Sequence, residues 1–481
     1  MNYANVGRML GWVLVISAGL LLLPLAVAIV YHEARTALSF VAVILISGLL
    51  GFLLTRLKSR RSEIYARDGF MIVGLSWVLL SALGALPFVL SGDIPNYIDA
   101  VFETVSGFTT TGATILTDIE GMSRGCMFWR CFTHWIGGMG ILVFVMAVLP
   151  MSGSNSMHIM RAEVPGPTVG KLVPRARKTA SILYLIYIGL TAAETILLLL
   201  GGMNLYDALC HAFATAGTGG FSTRAASVGA FNSPYIEWVV GVFMLLFGVN
   251  FNLYYLVLIG RWKNAVKSEE LRCYLGIIAF SVVSITIGIA RSVGGVATGV
   301  RQAFFQVCSI ISTTGFSTAN FDLWPEYVRW LLVLLMFIGA CAGSTGGGIK
   351  VSRIMILVRS SLCDLRQLHR PREINRVRLE GRVVDDETVR STRVFFVLYI
   401  MLTFLAVFVV SFDGFDLQTS FTGVVACISN IGPGLSLVGP EGGFAMFSWL
   451  PKLVLIWCML LGRLELYPML LIFAPSMWKR H

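Results

Sequence analysis

Ten apolar runs of membrane-spanning length punctuate this chain, at about 9–31, 38–55, 69–90, 127–150, 180–200, 236–260, 273–290, 328–342, 394–411 and 447–474. Each is judged against the roughly 20 residues a helix needs to cross a bilayer. With 56% hydrophobic and 13% charged residues over 481 positions, and a mean hydropathy of +0.78, the chain carries far more apolar surface than one soluble core can bury. A lipid-exposed backbone must satisfy its own polar groups, so these runs are expected as helices and the chain as an all-α polytopic membrane protein. Arg8 and the Ala26-Val27-Ala28 triplet give the first run the look of a signal peptide. Its apolar stretch exceeds the ~7–15 residues usual there, however, and a second span follows at once, so it is read as a transmembrane helix.

The net charge of +11 has a topological origin. Of 37 Lys and Arg residues, 28 fall at residue 8 and in segments 56–67, 161–178, 261–272, 350–393 and 479–480. All of these lie on one side when the spans are threaded with the N-terminus inside, which assigns that side, and both termini, to the cytoplasm. Nucleic-acid binding is therefore not implied. Nine cysteines occur without a CxxC pair, so neither a disulfide framework nor a zinc site is indicated.

Outside the spans a pattern recurs four times: a short apolar helix of about twelve residues ending in a polar glycine turn. The turns are FTTTGAT (108–114), AGTGGFST (216–223), ISTTGFST (311–318) and ISNIGPGL (428–435). With Gly112, Gly220, Gly315 and Gly432 as position zero, position −2 is Thr110, Thr218, Thr313 and Asn430, and position −1 is Thr111, Gly219, Thr314 and Ile431. Position −6 (Ser106, Ala214, Ser309, Ala426) and position −12 (Ala100, Ala208, Ala303, Ser420) are small, as close packing of the short helices requires. The anchors stand 108, 95 and 117 residues apart, each between two spans. The unit is helix, pore loop, helix, repeated four times around a pseudo-fourfold pore after two N-terminal transmembrane helices.

All four turns fall in external connections. Twelve apolar residues are too few to span, so each short helix dips in and returns as extended backbone, which is tolerated only inside protein or along a watery path. Glycine allows the backbone angles that direct successive carbonyls to one axis, and threonine adds a hydroxyl. Four such turns make a ring of neutral oxygens able to replace the hydration shell of a cation, with the negative ends of the half-helices aimed at the same cavity. No acidic residue lies in the turns, which favours a weakly hydrated monovalent ion over calcium.

Together with WIGGMGI (135–141), CAGSTGGGIK (341–350) and GRLELYP (462–468), these turns resemble the Trk/Ktr/HKT superfamily of potassium transporters over roughly residues 69–475. The two extra spans at the start are similar to the Trk branch. The resemblance implies potassium uptake with K⁺, and in part Na⁺, as the transported ion, and no enzymatic activity. It further implies a homodimer in a bacterial inner membrane and a cytoplasmic nucleotide-binding partner of the TrkA type. The ion filter would comprise Thr110, Thr111 and Gly112, then Thr218, Gly219 and Gly220, then Thr313, Thr314 and Gly315, then Asn430, Ile431 and Gly432. The break at Gly343, Gly346, Gly347 and Gly348 would be an intramembrane loop (339–350) obstructing the pore. The expected units are 1–66, then pore repeats 67–178, 179–270, 271–392 and 393–481.

GSTGGGIK (343–350) also looks like a phosphate-binding loop, but Ile349 separates the last glycine from Lys350 and an apolar helix precedes it. No nucleotide is expected on this chain. Arg463 lies 17 residues from both Met446 and Arg480, a depth that costs at least ~2.5 kcal/mol without a partner or cavity. Two roles fit: capping the carbonyls of a broken helix, or gating against the glycine loop. Glu194, inside the fifth span, could bond a neighbouring helix or carry protons, and His134 and His211 are expected as packed polar groups. Trp129, Trp135, Trp324, Trp330, Trp449 and Trp478 lie near span ends and are expected as interface anchors. The basic segment 350–393 is expected as a helical cytoplasmic connection, lipid-adjacent or a docking surface. The competing function is a secondary carrier coupled to H⁺ or Na⁺. That would require inverted repeats, whereas these run in one orientation.

Overall fold

The computed structural model describes residues 3–57, 66–140, 176–372 and 375–478. The second part of the expected span 127–150, from 141 on, and most of the basic stretch 161–178 lie outside them. Among the described residues six helices are long and apolar enough to cross a membrane: Tyr3–Val30, Ala34–Thr55, Arg67–Ser91, Ala180–Leu200, Glu269–Ile289 and Asp386–Asp413. A seventh candidate, Pro234–Phe247 with Phe251–Leu258, bends by 93°. Leu38, Leu45, Leu185, Ile287 and Phe408 are more than half exposed on these helices, an outer surface suited to acyl chains. The first two helices approach closely because both carry glycine at the crossing. A methyl on Gly11 would sit 2.8 Å from the Gly51 carbonyl oxygen, and one on Gly51 2.9 Å from that of Gly11.

Four short helices run inside this wall: Tyr97–Phe108, Leu205–Gly217, Val296–Ile311 and Leu417–Ile428. Asn96, Asn204 and Asp416 cap three of them by accepting backbone N–H groups of the first turn. Their small residues at positions −6 and −12 are all buried, as the repeat pattern requires.

The second helix of every repeat ends early. Arg124–Gly138, Pro234–Phe247, Glu326–Met336 and Trp449–Arg463 have 15, 14, 11 and 15 residues, where the sequence suggested a break only in the third. The freed carbonyls find partners from distant parts of the chain. Arg463 takes those of Gly137 and Gly138, the Thr345 hydroxyl takes that of Phe247, and the Cys341 N–H takes that of Gly248 at 3.0 Å. Broken backbone is tolerable at membrane depth because it is enclosed this way.

After the third repeat, helix Val351–His369 leads to a two-stranded hairpin, Arg378–Leu379 paired with Arg382–Val383, and then to Asp386–Val410. The expected all-helical connection therefore contains a β-turn. Glu380 and Gly381 both have positive φ (53° and 71°), the geometry that matches strand twist in a two-residue hairpin. Trp129 and Trp324 correct the interface assignment. Both are buried, and the Trp129 indole donates to the Gly84 carbonyl at 3.0 Å, whereas Trp330, Trp449 and Trp478 are exposed.

Candidate ion filter and the loop beneath it

Each short helix ends identically. The N–H at position −2 donates to the carbonyl at −5 (Thr110 to Gly107, Thr218 to Thr215, Thr313 to Ile310, Asn430 to Cys427) at 2.9–3.2 Å. The N–H at −1 donates to the carbonyl at −6 at 2.8–2.9 Å. This is the Schellman arrangement, which puts the residue just past the helix in the left-handed region, where glycine is usual. Here it is threonine or asparagine, with φ of 54°, 55°, 62° and 56°. Strain of that kind, of order 1–3 kcal/mol each, persists only where the surroundings enforce it. Position zero is also left-handed, with φ of 81°, 80°, 82° and 97°.

Glycine at zero has a second cause. A methyl on Gly112 would collide with the carbonyl oxygen of Gly219, one on Gly220 with that of Thr314, one on Gly315 with that of Ile431, and one on Gly432 with that of Thr111. Every colliding oxygen belongs to position −1 of the next repeat, and the fourth repeat meets the first. The turns thus form a closed ring, and all twelve residues singled out from the sequence lie in it.

Hydroxyl pairs brace the ring from behind: Thr109 with Thr111 at 2.8 Å, and Ser312 with Thr314 at 2.7 Å. The Asn430 amide donates to the Thr111 hydroxyl and to the Met459 carbonyl, both at 2.9 Å, tying repeat four to repeat one. On one side of the ring a cavity of about 140 Å³ touches all four glycines.

The sequence reading missed position −9. Glu103 accepts from the Thr114 hydroxyl (2.9 Å) and the Ile115 N–H (3.0 Å), and it pairs with Arg130 at 2.6 Å. His211 bonds the Ser222 hydroxyl at 2.9 Å, and Gln306 reaches the Phe316 carbonyl at 3.5 Å. These side chains hold the returning strand against its own helix; repeat four has Gly423 there and uses Thr422, which accepts from the Leu435 N–H at 2.9 Å. A polar residue with a long side chain at constant offset in three of the four short helices was the available signal. His134 is packed as expected, between the Gly107 carbonyl (2.7 Å) and the Phe221 N–H (3.2 Å). Glu194 is fully buried beside Thr215 of the second short helix.

The glycine loop touches the ring on the side away from the cavity. The Gly347 N–H donates to the Thr313 hydroxyl at 2.7 Å, and Gly346 and Gly348 lie against the carbonyls of Ser312 and Ser429. Gly343 accepts from the Phe251 N–H at 3.0 Å. Arg463, almost fully buried, donates to Thr345 at 2.5 Å, Gly137 at 2.6 Å and Gly138 at 2.5 Å. It therefore caps a broken helix, one of the two roles the sequence left open, and also contacts the glycine loop through Thr345. Lys350, counted with the cytoplasmic charges, is buried instead, with its ammonium on the carbonyls of Gly346 and Gly347.

The family model described as TrkH, cation transport protein, matches residues 32–480. The Trk system potassium uptake protein TrkH of Salmonella typhimurium is 37% identical over 486 residues, covering all of both chains. The Trk system potassium uptake protein TrkG of Escherichia coli K12 is 35% identical over 461 residues, covering 95% of this chain and 94% of that one. Among solved structures, the potassium transporter TrkH from Vibrio parahaemolyticus matches with a TM-score of 0.89 and 33% identity, over the whole of both chains.

Proposed function

The chain belongs to the TrkH family of cation transport proteins, and from that premise we propose that it is the ion-translocating subunit of a potassium uptake system, passing K⁺ inward through the ring of four turns. The observation that carries this reading is the closed ring itself, in which strained −2 residues and zero-position glycines repeat with the same backbone angles in all four quadrants. Its ligands are neutral oxygens, and the nearby charges Glu103 and Arg130 are paired with each other. The ring thus suits a monovalent cation that sheds water readily.

Thr110 to Gly112, Thr218 to Gly220, Thr313 to Gly315 and Asn430 to Gly432 are the filter in this reading, and Gly343, Gly346, Gly347, Gly348 and Arg463 are the gate. The positive charges of Arg463 and Lys350 beneath the ring oppose a cation until the loop moves. The protein works as a homodimer in the inner membrane with both termini cytoplasmic, and a TrkA-type nucleotide-binding partner meets the face that carries segment 350–393. Rubidium tracer flux into liposomes holding the purified protein, with and without a pH gradient, tests the reading. Flux without a gradient supports a gated pore, and strict dependence on the gradient supports the coupled carrier, with Glu194 as its first proton candidate.

A further inference from the structure

Glu270 belongs to the first turn of the membrane helix Glu269–Ile289, yet its side chain is turned into the protein and is 8% exposed. One oxygen, Oε1, accepts two backbone N–H groups: that of Ala342 at 2.7 Å and that of Ser352 at 3.1 Å. These residues flank the glycine loop, so a single carboxylate oxygen joins its start to its end. Bonds to an ionised acceptor are about twice as strong as neutral ones. The same closure is seen in the main chain, where the Gly339 N–H donates to Ile349 at 2.6 Å and the Val351 N–H to Ala340 at 3.2 Å.

The start of that helix has a second attachment. Glu380, in the turn of the cytoplasmic hairpin, accepts from the Ser268 hydroxyl at 2.8 Å and from the Glu270 N–H at 3.2 Å. Glu270 is therefore bonded through its backbone to the hairpin and through its side chain to the loop. We propose that Glu270 is the positioning residue that holds the glycine loop closed beneath the ring, and that Glu380 sets its position from the cytoplasmic hairpin. The proposal rests on the reading of the loop as the obstruction in a cation pore. Neither carboxylate touches the ring, so losing either changes how often the path is open and leaves the preference among ions unchanged.

The test is rubidium flux through the full-length protein in liposomes, normalised to folded protein. Glu270→Ala should raise maximal flux roughly tenfold, the factor expected for losing charge-assisted bonds of ordinary strength, with the half-saturating K⁺ concentration unchanged. Glu270→Gln keeps an acceptor oxygen in place but loses its charge, and should fall between the wild type and the alanine variant. Glu270→Asp withdraws the oxygen by one methylene while keeping the charge. It should also raise flux, and it decides the matter where the alanine variant folds poorly. Glu380→Ala should raise flux less and add nothing to Glu270→Ala, as expected for two members of one linkage. Wild-type flux in folded Glu270→Ala or Glu270→Asp, a glutamine variant as open as alanine, or a shifted half-saturation overturns the proposal. Arg463→Ala separates the two levels of inference. If it raises flux and the Glu270 variants do not, only the positioning role falls; if neither it nor the wild type conducts, the pore reading falls as well.

Discussion

Replacing Gly315 by alanine adds one methyl group at φ +82°, where it meets the carbonyl oxygen of Ile431 and lies 2.8 Å from Cδ of Pro433. The left-handed backbone costs an L residue about 1–2 kcal/mol. Making room in a packed site typically costs another ~1–3 kcal/mol. The total of ~2–5 kcal/mol lies below the ~5–15 kcal/mol by which proteins are usually stable, so folded protein should still be obtained. The displaced atom is a ring carbonyl, and the loss should therefore appear in ion binding. Gly202→Ala is the matched control, because its φ is +90° but nothing lies within 4 Å of the added methyl. In liposomes, Gly315→Ala should raise the half-saturating K⁺ concentration at least roughly tenfold, equivalent to ~1.4 kcal/mol, and weaken discrimination against Na⁺. Gly202→Ala should leave both unchanged. Folded Gly315→Ala with wild-type affinity and Na⁺ discrimination would refute the claim that the glycine exists to keep that carbonyl in place.

Arg463→Ala, or a deletion within 343–348, should increase rubidium flux through the isolated protein, because a repelling charge or the obstruction itself is removed; reduced flux from folded variants of both kinds would favour a carrier. Glu103→Ala strands the buried guanidinium of Arg130 and should cost about 3–5 kcal/mol, read as a fall in Tm in detergent, and an unchanged Tm would show the pair to be dispensable. A cysteine at Arg390, exposed beyond the hairpin, should react with an impermeant maleimide only from the cytoplasmic side of sealed vesicles. Labelling from outside alone would invert the orientation of every turn.

The register of the four turns was legible because it is a local property. Helix length, small residues at −6 and −12 and a glycine at zero all follow from how one short helix ends and packs. Of the interruptions of the second helices, the one in the third repeat was marked by its glycines, whereas those in the first and second were not legible. Hydrophobicity along 127–150 or 236–260 says nothing about which distant group will take a freed carbonyl, and here the takers are Arg463, Thr345 and Cys341, about a hundred or more residues away in the chain. Lys350 was misplaced for the same reason. Counting charges along a loop cannot tell a solvated ammonium from one held by the carbonyls of Gly346 and Gly347. At Trp129, nearness to a span end outweighed in the sequence reading what the fold decides, a bond to Gly84 in the interior.

The ring is drawn from one continuous polypeptide, and this frees its quadrants from identity. In an assembly of four equal subunits every feature appears four times, so an arginine beneath the filter would bring three more around the same axis, each repelling the others. Here, among the described residues, the loop Gly339–Lys350 comes from the third quadrant and Arg463 from the fourth. A single chain thus permits an off-centre contact beneath a centred ring, and in the proposed reading a mutation in one quadrant can retune the loop while the other three keep the ring as it was.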